Sequence, residues 1–222
     1  MENEYLNGYH RMNTSDYGYW LPKGASTFAP EIDTTLYLVH ILMVIMFVVW
    51  GIFFIMFLMQ FRSGNEKKVV HSGYPKVIVP ISMIAFVVIF DMYMLFGHDI
   101  PFWNHLKKDF PDAEKSTVVR IVAQQFAWNV HYPGQDGKFG RSRPELVDEK
   151  INPIGLDFDD PYAKDDITTV GQLRIPVEKP VIIHLTSKDV IHSFSLPVMR
   201  VKQDVIPGMS IPIWFEPTRT GN

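Results

Sequence analysis

The chain contains no cysteine. That excludes disulfides, and it excludes any metal site built on thiolates drawn from these residues alone. It does not fix the redox compartment, because an exported domain can lack disulfides. A bulk charge of one sign is also missing. The 21 basic and 24 acidic residues leave a net charge of -3, which argues against a nucleic-acid binder. No internal repeat and no low-complexity tract interrupts the chain, and no paired carboxylates or nucleophile–base arrangement stands out. Catalysis is therefore not expected within this chain by itself. The most informative absence is local. Leu36 to Phe61 contains no Asp, Glu, Lys or Arg, and Val77 to Gly97 contains only Asp91.

A run of about 20 apolar residues at ~1.5 Å rise crosses a ~30 Å hydrocarbon core. The two segments are long enough for this, and buried core helices of a soluble protein are rarely so continuously apolar. The first begins too far from Met1, and is too long, for the apolar part of a cleaved signal peptide. Between them the loop RSGNEKKVVHSGYPK holds Arg62, Lys67, Lys68 and Lys76 against Glu66. The positive-inside rule places that loop in the cytoplasm and both termini outside, periplasmic where there is a periplasm. Trp20, Trp50, Tyr93 and Trp103 lie near or between the span ends, where interfacial aromatics are common. Asp91 in the second span is expected to face protein or water, since a carboxylate in lipid is costly.

From about Ser116 the pattern changes. STVVRIVAQQ, FAWNVHYP, QLRIPV, KPVIIHLTS, VIHSFSLP and SIPIWF are short, rich in β-branched and aromatic residues, and punctuated by Pro and Gly. Such spacing predicts an all-β sandwich or barrel. A long polar insertion over 133–166 carries Asp157, Asp159, Asp160, Asp165 and Asp166. It reads as a solvated loop or as an acidic docking face for a basic electron donor, to which Asp189 would add. The domain plan is thus an external arm over 1–35 and a transmembrane hairpin over 36–97, with spans near 36–61 and 77–97 and a cytoplasmic loop over 62–76. A β domain fills 98–222.

His192 alternates with Val190 and Phe194 on one strand face. A lone histidine among apolar residues reads as a hydrogen-bonded core residue or as a metal ligand, and imidazole is a ligand that suits copper among other metals. The stretch DVIHSFSLPVMRVKQDVIPG, followed by WFEPTRTG, resembles cytochrome c oxidase subunit II, as does the two-span arrangement ahead of it. The resemblance covers nearly the whole chain from the first span to Gly221. It implies a membrane-anchored, cupredoxin-like β-sandwich and a role for His192 as a ligand of the dinuclear copper centre called CuA. The family's other ligands lie in a CxExCGxxHxxM loop after the TxTG turn. They are expected beyond Asn222, so this terminus reads as the end of a fragment and the sandwich as incomplete there.

The resemblance also places Lys202 and Asp204 beside the copper loop, in contact with the catalytic subunit. It makes Trp128 and Phe126 the aromatics of electron entry, with Phe126 standing where the family has a tryptophan. Gly73 stands where the family often has a glutamate at a proton-channel mouth, so that role does not carry over to it. Pro207 and Gly208 read as turn residues, and His131 and His184 as ordinary strand histidines. The implied function is that of subunit II of a respiratory haem–copper terminal oxidase. It would take electrons from a cytochrome c or similar donor and pass them to catalytic subunit I, where O2 is reduced to water and protons are pumped. The implied partners are subunit I and other oxidase subunits, with haem only in subunit I. Nucleic acid is not among them, and the expected place is the inner or plasma membrane. Two alternatives stay open: a quinol oxidase relative without copper, and a membrane-anchored assembly or docking domain.

The orientation is testable because the chain has no cysteine of its own. A membrane-impermeant maleimide applied to spheroplasts should label Lys115→Cys and spare Lys67→Cys. Labelling of Lys67→Cys should require opening the membrane. The reverse pattern would invert the hairpin.

Overall fold

The computed structural model describes residues 21–64 and 75–221. The arm up to Trp20 and the loop residues Glu66, Lys67, Lys68, His71 and Gly73 lie outside the described residues. The chain forms two compact units, one of Glu31–Asp109 and one of Met1–Pro30 with Phe110–Asn222.

Helix α1 spans Ala29–Gln60, and α2 spans Pro75–Met94. A π-helical turn, Leu95–Asp99, joins α2 to α3 (Ile100–Lys108), so the helical path runs on past the end of the apolar run. Pro101 gives a reason for the wide turn. It has no N–H to return to the preceding turn, and one residue of extra winding removes the clash of its ring. The Ile100 N–H closes the turn on the Leu95 carbonyl. Thr35 Oγ1 lies 3.0 Å from His98 Nδ1, tying α1 to that turn. Ala29–Gln60 and Val77–Lys108 are each long and apolar enough to cross a membrane. Their apolar side chains, Phe47, Phe54 and Ile89 among them, are exposed around the helices, as suits a lipid-facing surface. Asp91 is exposed on α2.

The second unit is a β-sandwich. Its larger sheet has the order β3-β2-β1-β4-β7, with β1 Thr117–Gln124, β2 Ala127–Tyr132, β3 Ile167–Val170, β4 Val181–Ser187 and β7 Ile211–Phe215. The smaller sheet pairs β5 (His192–Leu196) with β6 (Val201–Val205). All neighbours are antiparallel except β1 and β4, which run parallel from Thr117↔Val181 to Ala123↔Ser187.

Strand period two sorts the large sheet into two faces. One carries Val119, Ile121, Ala123, Val130, Val181, Ile183, Leu185, Ile213 and Phe215, all buried. The β5–β6 hairpin covers this face with Phe194 and Val205, and Phe194 meets the Trp128 ring edge-on at 5.6 Å. Each such side chain contributes roughly 1.5–3 kcal/mol by leaving water.

The other face carries Arg120, Val122, Asn129, His131, His184 and Trp214, and it is covered twice. At one side Phe28 packs edge-on to Trp214 at 4.6 Å, and Phe110 lies 6.4 Å from the same ring. Residues 25–28 are stitched in by backbone bonds, Ala25 N–H to the Val198 carbonyl, Thr27 N–H to Glu216 and Thr218 N–H to Ala25. The chain entering the first helix and the chain leaving the last are therefore parts of the same β unit.

The 133–166 insertion covers the other side of that face, and it is folded. Ile154, Leu156 and Ala163 form a small core against Val122. The Asn152 side chain donates to the Leu146 and Leu156 carbonyls and accepts from the Leu156 N–H. Gly155 has φ +65 and no room for a Cβ against the Arg143 carbonyl, so the turn requires glycine. His131 and Asp166 are fully buried beneath the insertion, with Nε2 and Oδ2 2.6 Å apart. The same carboxylate oxygen accepts the Gly140 N–H at 2.8 Å.

Burial, more than the opposing pull of Asp166, lowers the proton affinity of His131. Its Nδ1 is buried with no hydrogen-bond partner among the described residues, so a second N–H there would also be wasted. In the unfolded chain the imidazole protonates near ~6.5. The unfolded state then holds more protons below that value, and stability falls as the pH drops through it. Between about pH 7.5 and about pH 5.5 the insertion should lose amide protection and the unit should melt earlier. In His131→Gln, which can still donate to Asp166, this slope should be shallower by hydrogen exchange and thermal melts.

Candidate functional site

The parallel β1–β4 register brings two chain segments to one end of the sandwich. Ala123 stands opposite Ser187, and the Lys188 N–H continues the ladder to the Ala123 carbonyl at 3.0 Å. The β1–β2 turn, holding Gln125 and Phe126, therefore lies beside the β4–β5 loop, which holds Asp189 and leads into His192.

His192 opens β5 opposite Val205, on the strand face it shares with Phe194. Its ring sits edge-on to Trp128 at 5.8 Å, and its side chain is 17% exposed. His192 Nε2 lies 2.8 Å from Asp189 Oδ1. The carboxylate is saturated by donors. Oδ2 accepts the Gln125 N–H at 2.7 Å, and Oδ1 accepts the Val190 N–H at 2.7 Å. Ser187 Oγ also lies 3.3 Å from Oδ1. These bonds, that of His192 first and Gln125 next, hold the Asp189 carboxyl well below the usual range. An ionised Asp189 only accepts, so Nε2 carries a proton, and Nδ1 is the ring nitrogen left to offer a lone pair to a metal. An imidazole oriented by a carboxylate on its other nitrogen is the usual arrangement of a metal-binding histidine.

One imidazole does not compose a dinuclear copper centre. The chain has no thiolate to offer. Among the described residues no group of three or more His, Cys, Asp or Glu is placed to hold a metal. His192 suits a metal; the thiolate donors of such a centre are not among residues 1–222.

The other expected site residues fall in distinct places. Phe126 stands at the turn tip, 97% exposed, whereas Trp128 is half-buried against His192 and Phe194. Lys202 and Asp204 stand opposite Ser195 and Ser193 on the exposed face of the β5–β6 hairpin, away from the His192 side. No ion pair joins them to each other among the described residues. Asp189 is bonded to His192, and its side chain is 32% exposed. Asp157 corrects the picture of an acidic surface. It is 4% exposed, and its Oδ2 is gripped by Arg141 at 3.0 Å and Arg143 at 3.1 Å. A carboxylate so placed holds the insertion together and cannot face a partner. Asp160 is half-engaged, capping the Arg141 and Tyr162 N–H groups, while Asp159 remains exposed. The orienting role of Asp189 had a sequence signal, an acid three residues before the histidine. The Gln125 N–H had none.

Residues 117–222 match the family described as cytochrome C oxidase subunit II, periplasmic domain. The chain is 42% identical over 107 residues to an alternative cytochrome c oxidase subunit 2 of Bradyrhizobium diazoefficiens, covering 48% of this chain and 38% of that one. It is 28% identical over 159 residues to cytochrome c oxidase subunit 2 of Cereibacter sphaeroides, covering 65% and 46%. The chain thus spans less than half the length of these curated relatives. A solved mixed-disulfide intermediate between a thioredoxin-like protein and subunit II of cytochrome c oxidase is 30% identical, with TM-score 0.33, over 51% of this chain and 68% of that one.

If Asp189 sets the ring orientation, Asp189→Ala should leave the sandwich folded and let the His192 ring sample further rotamers. Broadened or multiple ring signals in the NMR spectrum of that variant would be the expected result. A single unshifted set would show that packing on Trp128 alone holds the ring.

Proposed function

From the match of residues 117–222 to the cytochrome c oxidase subunit II periplasmic-domain family, we propose that the chain is the electron-entry subunit of a haem–copper terminal oxidase. The observation that carries the reading is the placement of Trp128 edge-on to a carboxylate-held His192, one strand turn from the exposed Phe126. A donor docking at this end of the sandwich would meet Phe126 first. Trp128 would link the docking surface to the imidazole, and Asp189 would hold that imidazole in place.

In this reading His192 offers Nδ1 to copper, and the other copper ligands are supplied from outside residues 1–222. In the same reading the chain contributes no active site of its own. Its tasks are binding, orientation and exclusion of water around a metal that carries the redox chemistry. Subunit I, holding the haem, would receive the electrons, reduce oxygen and pump protons. The exposed pair Lys202 and Asp204 is proposed to contact it. Asp91, a carboxylate exposed on a lipid-length helix, is proposed to face the same subunit, because lipid would not tolerate it. Asp159 and Asp160 remain as acidic groups for a cationic donor. The two apolar helices support two crossings, and the basic loop between them supports an outer position for the β unit.

The retained, oriented His192 favours this reading over a copper-free quinol oxidase relative, which has no use for a metal-ready imidazole. The test is donor-driven oxygen uptake by the intact complex. Trp128→Ala should slow reduction by the donor at least about tenfold, equivalent to ~1.4 kcal/mol of barrier, with copper content unchanged. His192→Asn should lower copper content and uptake together. Normal copper and normal uptake in His192→Asn would overturn the assignment.

A further inference from the structure

The β4–β5 loop is held from a direction that nothing in its own sequence suggests. Lys188, next to Asp189, sends its ammonium into the insertion. Nζ donates to the Pro153 carbonyl at 2.8 Å and to Glu149 Oε1 at 3.2 Å. The second Glu149 oxygen accepts from Gln124 Nε2 at 2.6 Å. Gln124 Oε1 in turn accepts from the Asn129 side chain at 2.7 Å, and Asn129 is buried in the sheet. One carboxylate thus joins the insertion to the end of β1 and to the residue before Asp189.

Glu149 is not on a slack loop. It lies in a tight turn closed by reciprocal backbone bonds between Asp148 and Asn152, at 3.1 and 2.9 Å. Asp148 Oδ1 caps the Lys150 and Ile151 N–H groups inside that turn. The turn is followed at once by Ile154 and Leu156, which anchor on Val122 of β1. Lys188 therefore grips a rigid body that is itself seated on the sheet. Its own N–H is bound to Ala123, so the residue is held at both backbone and side chain. Asp189 follows directly, and with it His192.

We infer that the 133–166 insertion is a positioning element for His192, acting through the Glu149–Lys188 clasp on the β4–β5 loop. Its consequence for electron entry rests on the reading of His192 given above; its geometry does not. Lys188 is a positioning residue: it touches neither His192 nor any reacting atom. The insertion is then neither a solvated loop nor only a docking face. It makes the placement of a metal-ready imidazole depend on a packed layer on the opposite face of the sheet from that imidazole.

The experiment is hydrogen exchange on the full chain in its membrane complex, comparing wild type with Lys188→Met, Glu149→Gln and Lys188→Arg. The reporters are the Gln125 and Val190 amides, which are bonded to Asp189, and the 145–156 segment. An exposed ion pair with one added carbonyl bond should slow opening about two- to fivefold. Lys188→Met and Glu149→Gln should each raise exchange of both reporters by that factor, and Lys188→Arg, which keeps charge and donors, should restore it. A loosened 145–156 segment with wild-type Gln125 and Val190 amides would overturn the inference, because insertion and loop would then be independent. Wild-type exchange everywhere in Lys188→Met would overturn it equally. His192→Asn keeps every atom of the clasp, so its 145–156 protection should match wild type even if the electron-entry reading fails. The two ideas can therefore fail separately.

Discussion

The parallel pairing of β1 with β4 is the constraint on which the rest of the β unit depends. Parallel neighbours cannot be joined by a tight turn, so the chain between them must make a long excursion. Here that excursion contains β2, the insertion and β3. Because the register runs from Thr117↔Val181 to Ala123↔Ser187, the two strands end together. Their following loops are then forced side by side, and Gln125 can donate to Asp189 across 64 residues of sequence. Shift that register by one residue and every side chain changes face, taking the Val119–Ile121–Ala123 core with it.

The same sheet explains why His192 and an ordinary-looking polar insertion are structurally connected. One face of β1 holds the apolar core beneath the β5–β6 hairpin that carries His192. The other face offers Arg120, Val122 and Gln124, and the insertion settles on these. The cation of Arg120 lies over the Phe139 ring at 4.4 Å, and Phe139 meets His131 edge-on at 5.0 Å. A three-residue apolar core, one buried His–Asp pair and several side chain-to-backbone bonds suffice to order a segment whose composition is mostly polar.

Much of the architecture was legible from residue order. Two lipid-length apolar runs need no tertiary context, since length and composition alone set them apart. The two-residue period around His192 put Phe194 on the same face, and the register with β6 agrees. The sandwich class followed from short β-branched segments between Pro and Gly. The insertion was misleading because its anchoring residues, Ile154, Leu156 and Ala163, are few and have no period. A polar segment that packs by capping and turns looks the same in sequence as one that does not pack.

The sequence by itself determined which segments are apolar enough to leave water, which residues alternate on a strand, and that no thiolate is available among these residues. These are local properties, set by composition and by backbone geometry over a few positions. Only the tertiary structure decided that Asp157 turns inward to two arginines, that Asp189 holds His192, that Trp128 lies on its ring, and that Lys188 reaches back to Glu149. Each of these joins groups brought together by strand pairing across tens of residues or by the path of a turn. Hydrogen bonds and ring contacts form only where donor and acceptor meet within about 3 Å and rings within about 7 Å, and the order of residues along a chain does not fix those distances.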